Sequence, residues 1–319
     1  MELYEKILII VVLVVFIFLI LNIILGYIGY INAFKKIECR NLYTIPSNSF
    51  YFPYQRELIK GLEWYNTVEK EEIYIINNRG LKLFGKLTKQ NKLEKPNIII
   101  FFHGWHSSGE NDISCFGIPK LYKEGYDFLI VDQVAHGKSE GNITTVGILE
   151  QEDVLLWVDK INDIYNNNCN IILSGMSMGA NMVMLSSNKH MNNVKAIIEN
   201  CGFTNTFDEL KYISNKKYKI PDFTFWFVYM MAKIKSGLDL KKYDARDSLK
   251  ESLYPVLFIH GKKDQTVPYK MAIELYNSCS KEKELLLVED AIHLVSSIVE
   301  PTKFNEVIIS FLNKYLKDS

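Results

Sequence analysis

The sequence predicts an α/β fold: a mainly parallel sheet covered by helices on both faces, with a helical cap insertion and an N-terminal transmembrane helix. Three observations carry this reading. Short all-apolar runs alternate with stretches of helical spacing through most of the chain. A long uncharged run lies near the amino end. One segment between two strand-like runs is far longer than a simple crossover requires.

The chain has 319 residues, 48% hydrophobic and 13% aromatic, which supplies a large core and excludes wholesale disorder. Lysine plus arginine balance aspartate plus glutamate at 37 each, so the basic excess expected of a nucleic-acid binder is missing. Cys39, Cys115, Cys169, Cys201 and Cys279 are dispersed, with no CxxC pair and no histidine at metal spacing. That pattern points to neither a disulfide framework nor a metal site. No cofactor is expected.

Residues 7–31 carry no charge. At 1.5 Å per residue they extend about 37 Å, more than the roughly 30 Å of a bilayer's hydrocarbon core. Asn22 is the one strongly polar interruption, and Tyr27 and Tyr30 sit near the far end, where amphipathic rings favour the interface. A cleaved signal peptide would have a shorter apolar region and a small-residue cleavage site. Residues 1–34 are therefore expected to be a retained anchor, with 7–31 in the lipid bilayer. Lys35, Lys36 and Arg40 follow the run, whereas Lys6 precedes it beside Glu2 and Glu5, which leans towards a cytoplasmic domain.

Residues 35–70 read as a connector without clean periodicity, and 71–319 as the main domain. EEIYII from Glu71 and LKLFGKL from Leu81, separated by a turn signal, form an antiparallel hairpin at a sheet edge. The runs at 97–102, 127–131, 170–173, 196–198, 256–259 and 285–288 are strands buried on both faces. Residues 151–165 and 269–278 have helical spacing between them. The insertion, about 203–250, is expected to cap the strand ends.

Gly175-Met176-Ser177-Met178-Gly179 directly follows a strand and opens a helix. A serine on such a sharp turn stands above the sheet, and glycines two residues to either side remove collisions that a side chain would make. The helix directs its free amides at the site. A serine hydroxyl needs a base oriented by an acid. Asp264, in a loop straight after a late strand, and His293, after the last strand, supply them in the order this turn requires. Asp290 and Glu289 are weaker candidates for the acid because they share the His293 loop. His260 and His136 read as structural. The backbone amides of Trp105 and Met178 are the expected oxyanion donors, and His106 is a candidate pocket residue.

HGW at 103–105, Asp132 with AHGKSEG at 135–141, GMSMG, GKKDQTVP and the final His293 together resemble the α/β-hydrolase superfamily over about residues 70–319. The closer likeness is to bacterial membrane-anchored hydrolases related to the prolyl oligopeptidase-like serine hydrolases and to the eukaryotic Bem46-type proteins. Where relatives often read RGHG, this chain reads VAHG at 134–137. The resemblance implies an α/β-hydrolase fold, a Ser177–Asp264–His293 triad, and esterase-like or peptidase-like chemistry without metal. The expected substrate is a small-molecule ester or acyl compound. Phe223, Trp226, Phe227 and Met230 give the insertion an apolar surface suited to a hydrophobic ester or thioester. The alternatives are an amide or peptide hydrolase, disfavoured by the lack of a propeller-length leading region, and a catalytically silent membrane-bound interaction protein on the same scaffold.

Overall fold

Continuous apolar runs become strands here because both faces of the sheet are covered. In the computed structural model, which describes residues 2–36, 38–39, 41–90 and 93–316, the strands are β1 (Glu71–Ile76), β2 (Lys82–Thr88), β3 (Asn97–Phe102), β4 (Asp127–Asp132), β5 (Asn170–Met176), β6 (Val194–Asn200), β7 (Val256–Gly261) and β8 (Lys283–Val288). They form one sheet in the order β1-β2-β4-β3-β5-β6-β7-β8. The hairpin β1–β2 lies at one edge and β2 pairs antiparallel with β4, while every later pairing is parallel.

Along β3 the side chains alternate between two cores. Ile99 and Phe101 join Phe116, Phe304 and Phe311 on one face. Ile98, Ile100 and Phe102 join Trp157, Val154 and Met182 on the other. The first face is covered by α2 (Gln55–Thr67), α3 (Gly109–Ile113), α4 (Ile118–Lys123), α11 (Ser296–Val299) and α12 (Pro301–Leu316), and the second by α5 (Gln151–Ile164), α6 (Met178–Leu185), α9 (Ala245–Lys250) and α10 (Tyr269–Ser278). Helix α2 falls in the segment expected to lack periodicity. Its buried Leu58, Leu62 and Tyr65 stand four and three residues apart, a one-faced stripe.

From β3 the sheet grows in both directions, to β4 on one side and β5 on the other. At such a switch point the loops leaving the two strands diverge and open a crevice at their carboxyl ends. Phe102 of β3 is level with Gly175 of β5, so the GMSMG turn emerges there.

The described chain divides into two compact units: Lys36–Thr206 with Tyr243–Ser319, which holds the sheet, and Met1–Lys35 with Phe207–Lys242. The second contains α1 (Leu3–Phe34), most of α7 (Thr206–Lys217), and α8 (Asp222–Ser236). Helix α1 is long and apolar enough to cross a membrane, with a mean hydropathy of 3.6 over its most apolar window. Its carboxyl half packs on α8. A Cβ on Gly26 would lie 2.6 Å from Cβ of Phe227, and one on Gly29 2.6 Å from a Val228 methyl, so only glycine permits this approach. Asn22 Oδ1 accepts a hydrogen bond from Thr224 Oγ1 (2.8 Å) and its Nδ2 donates to Phe18 O (2.9 Å), which satisfies the polar interruption. The Tyr30 and Ser236 hydroxyls pair at 2.6 Å. Arg40 lies outside the described residues.

Trp157 is the largest fully buried side chain, packed where a Cβ on Gly85 would touch its ring at 3.1 Å. Trp157→Ala should destabilise the sheet-bearing unit by about 3–5 kcal/mol, through lost burial and the cavity left behind. Denaturant titration monitored by circular dichroism should show the midpoint fall, and an unchanged midpoint would remove Trp157 from the core's energetics.

Candidate active site

Ser177 sits between β5 and α6 with φ +53° and ψ −113°, a conformation that costs an L-residue about 1–3 kcal/mol. The surroundings impose it. A Cβ on Gly175 would lie 2.2 Å from the Gly179 carbonyl oxygen, and one on Gly179 2.1 Å from the Phe102 carbonyl oxygen. Both are impossible contacts, so the two glycines let β5 turn into α6 against the end of β3. The Ser177 amide donates to Asn200 O (2.9 Å), which ties the turn to β6.

The side chains of Ser177, His293 and Asp264 meet at this edge. His293 Nε2 lies 3.1 Å from Ser177 Oγ, and His293 Nδ1 lies 2.6 Å from Asp264 Oδ2. The other Asp264 oxygen accepts from the amides of Thr266 (2.8 Å) and Val267 (2.9 Å), so the carboxylate is fixed in its own loop. Burial opposes ionisation of Asp264, but His293 and His260 beside it more than offset that and hold its carboxyl well below the usual range. A buried carboxylate on Nδ1 fixes the tautomer that leaves Nε2 free to accept a proton from the hydroxyl. Asp290 and Glu289 instead pair with Lys263 (2.6 Å) and Lys262 (2.5 Å) at the surface.

Behind Asp264 lies a group that sequence reasoning assigned only in part. His260, fully buried at the end of β7, donates Nε2–H to Val267 O (2.9 Å) and approaches Asp264 Oδ2 to 3.3 Å. Its Nδ1 has no hydrogen-bond partner among the described residues, so the ring is not the fully satisfied structural histidine that its strand-end position suggested. Glu199 of β6, also fully buried, accepts from the Gly202 amide (2.8 Å) through Oε2. Burial pushes its carboxyl from an ordinary 4.5 up to about 7, with His260 moderating the rise.

Cys201 Sγ, Asp264 and His293 place ligand-type atoms within 4.8 Å of one another. Burial and the Asp264 charge raise the Cys201 thiol well above its usual range. The histidine nitrogen and carboxylate oxygen nearest each other are already bonded together. This donor set suits proton transfer better than metal binding.

The loop after β3 passes beside Ser177, since a Cβ on Gly104 would lie 3.4 Å from its Cβ. Trp105 follows it, and Met178 opens α6, so both expected oxyanion amides belong to segments flanking Ser177. Two groups hold the loop. Asp112 accepts from the Gly104 amide (2.6 Å) and from Ser107 Oγ (2.5 Å). His136 donates Nδ1–H to Val134 O (2.9 Å) and accepts at Nε2 from the His106 amide (3.2 Å). Burial, with His103 nearby, lowers the His136 pKa to about 3, which keeps the ring neutral and able to accept. His106 adopts φ +56° and stacks on Trp105 with ring centroids 3.6 Å apart. Asp112 carried no sequence signal, because an aspartate eight residues past a glycine has no local signature. The remaining expected pocket residues lie on α8: Phe223 and Trp226 are exposed, Phe227 packs on Gly26, and Met230 is half-buried.

Comparison with known proteins agrees with this architecture. The family described as serine aminopeptidase, S33, matches residues 94–248. YqkD of Bacillus subtilis is 26% identical over 225 residues, covering 69% of this chain and 72% of its own. YfhR of Escherichia coli is 24% identical, covering 79% and 83%. Among solved structures, the Pyrococcus furiosus esterase Pf2001 superposes with a TM-score of 0.64 at 23% identity, over 88% of this chain and 99% of that one. With this sheet order and a strained serine at the switch point, the chain has the α/β-hydrolase fold.

The buried Glu199 has a consequence for stability. Between about 4.5 and about 7 the folded chain keeps a proton there that the unfolded chain has released, so this group's contribution to stability falls as pH rises through that window. Glu199→Gln keeps an acceptor for Gly202 and removes the titration. Thermal unfolding at about pH 5 and about pH 7.5 should show a smaller pH-dependent loss of Tm in the variant than in the wild type. Equal losses would mean that Glu199 titrates normally.

Proposed function

We propose that this chain is a membrane-anchored serine hydrolase that cleaves carboxylic esters through an acyl-enzyme on Ser177. The observation that carries the reading is the continuous chain from Ser177 Oγ through His293 to Asp264, at 3.1 and 2.6 Å, behind a serine in a strained turn. Ser177 Oγ attacks the acyl carbon while its proton passes to His293 Nε2. The amides of Trp105 and Met178 receive the developing oxyanion, each such donor being worth about 2.7–4 kcal/mol in the transition state. Collapse expels the alcohol, which takes the proton from Nε2. Water then adds to the acyl-enzyme with Nε2 as base, releasing the acid and restoring Ser177. Asp264 stays ionised and orients the imidazolium.

Support for ester chemistry comes from the superposed Pyrococcus furiosus esterase and from the Exiguobacterium antarcticum esterase, which has a TM-score of 0.56 at 21% identity. The aminopeptidase description of the matched family favours a second reading, amide hydrolysis. Comparing p-nitrophenyl esters with aminoacyl p-nitroanilides separates the two.

Membrane anchoring is supported by the apolar length of α1 and by its packing on α8. A cleaved leader would leave Thr224 without Asn22 and would strip the face of α8 that meets Gly26 and Gly29. Lys35 and Lys36 after the helix favour a catalytic unit on the cytoplasmic side. The anchor and the apolar residues of α8 together favour a hydrophobic acyl ester.

A fluorophosphonate probe should label the wild type and not Ser177→Ala, and ester turnover should fall by about 10⁶-fold in Ser177→Ala or His293→Ala. A folded wild type that resists the probe would favour a silent scaffold. Across p-nitrophenyl esters, octanoate should give a higher kcat/KM than acetate. The reverse order would overturn the hydrophobic-substrate assignment.

A further inference from the structure

Two buried groups behind Asp264 take no part in the steps above. Glu199 of β6 is level with Phe258 of β7, so its side chain shares a face of the sheet with His260, one pleat further along. Both side chains are fully buried. His260 Nε2 donates to Val267 O (2.9 Å) and stands 3.3 Å from Asp264 Oδ2, the oxygen that His293 also holds at 2.6 Å. Asp264 Oδ2 is thus approached by two imidazoles. Glu199 Oε2 accepts from the Gly202 amide (2.8 Å). That leaves Glu199 Oε1 and His260 Nδ1, neither of which has a hydrogen-bond partner among the described residues.

The two groups have complementary chemistry. A neutral carboxyl has a hydrogen to give, and a neutral imidazole that donates from Nε2 has a lone pair at Nδ1. Burial pushes the Glu199 carboxyl up to about 7, while His260 draws it down. Burial also opposes a charge on His260, but Asp264 and Glu199 together more than offset that and raise its pKa. Each group alters the other's hold on a proton, so the pair titrates as a unit. Gly175 of β5 is level with Glu199 and Leu287 of β8 with His260, and α6 brings Ala180 and Met184 beside Gly202. From α10 come Ala272, Leu275 and the Tyr276 ring, edge-on to Phe258. The nearby ionisable groups of the site are Asp264, His293 beyond it, and the Cys201 thiol, whose proton is held by burial, Asp264 and Glu199. Lys262 and Lys263 of the Asp264 loop pair with Glu289 and Asp290 at the surface.

We propose that His260 and Glu199 are positioning residues for the base of the site: they hold one proton between them behind Asp264, and while it is there the carboxylate is shared with His260 instead of being left to His293. This rests on the reading of Ser177, His293 and Asp264 as a hydrolytic triad. When the pair releases its proton, its charge falls by one and the pull of His260 on Asp264 slackens. The imidazolium that forms on His293 in the transition state is then better balanced. Turnover therefore gains a further rise through the pH range in which Glu199 ionises.

The test measures kcat/KM for a p-nitrophenyl ester across pH in the full-length wild type, Glu199→Gln, His260→Gln and the double variant. Each rate is divided by the number of sites that take a fluorophosphonate probe, so only folded molecules count. Glutamine keeps an acceptor for Gly202 at 199 and an N–H donor at 260, and neither glutamine can take up or release the proton. From about pH 6 to about pH 8 the ratio of wild type to Glu199→Gln should rise about three- to tenfold, carried by kcat with KM unchanged. His260→Gln should give the same rise, because without the imidazole Glu199 keeps its proton through this range. The double variant should follow either single one at a constant ratio. A wild type that takes the probe but keeps a constant ratio to the single variants leaves the hydrolase reading standing and overturns the pair. An effect confined to KM, or a double variant whose ratio to the single ones drifts with pH, also overturns it. Either single variant decides alone if the other fails to fold. A folded wild type that neither turns over ester nor takes the probe overturns the hydrolase reading and this proposal together.

Discussion

The geometry at the sheet's carboxyl edge depends on one backbone constraint, the positive φ of Ser177. A serine in that conformation is stable only if β5 can turn into α6 within a single residue. This forces the Gly179 backbone against the Phe102 carbonyl and the Gly175 Cα against the Gly179 carbonyl. The cost of the strain, about 1–3 kcal/mol, is small beside the burial of β3 and β5, whose apolar side chains are almost wholly removed from water. The sheet can therefore hold the serine where an isolated turn could not. The same tight approach brings the loop after β3 to Ser177, with Asp112 and His136 as its moorings.

The electrostatics follow a similar logic of over-determination. Asp264 is surrounded by two histidines and two backbone amides, so burial, which alone would favour its neutral form, is outweighed. Glu199, one strand away and equally buried, accepts one amide and has a single histidine to oppose the same desolvation, and it moves the other way. Two carboxylates in one core are thus driven apart by their immediate partners. Burial by itself does not decide the direction.

Much of this was legible in the residues. The strands could be read because a sheet covered on both faces needs unbroken apolar runs, and the GMSMG turn because its glycines answer a local steric demand. The order of serine, acid and histidine candidates could be read from the strands they follow. Other features resisted for physical reasons. The stripe of Leu58, Leu62 and Tyr65 in α2 is only three residues long and sits among exposed aromatics that mask it. Asp112, Glu199 and His260 act through partners that only the tertiary fold supplies. The pairing of Asn22 with Thr224 spans 202 residues, so a polar residue inside an apolar helix gives no hint of what satisfies it.

The position of His293 has a consequence for how the protein matures. It follows β8, the outermost strand and the last to leave the ribosome, and stands 116 residues beyond the serine it touches. While synthesis is under way, the Ser177 hydroxyl has no imidazole beside it. The contact between Ser177 and His293 forms only when the β8 edge of the sheet has docked. Partly made copies therefore lack the serine–histidine contact altogether, a consequence of topology alone.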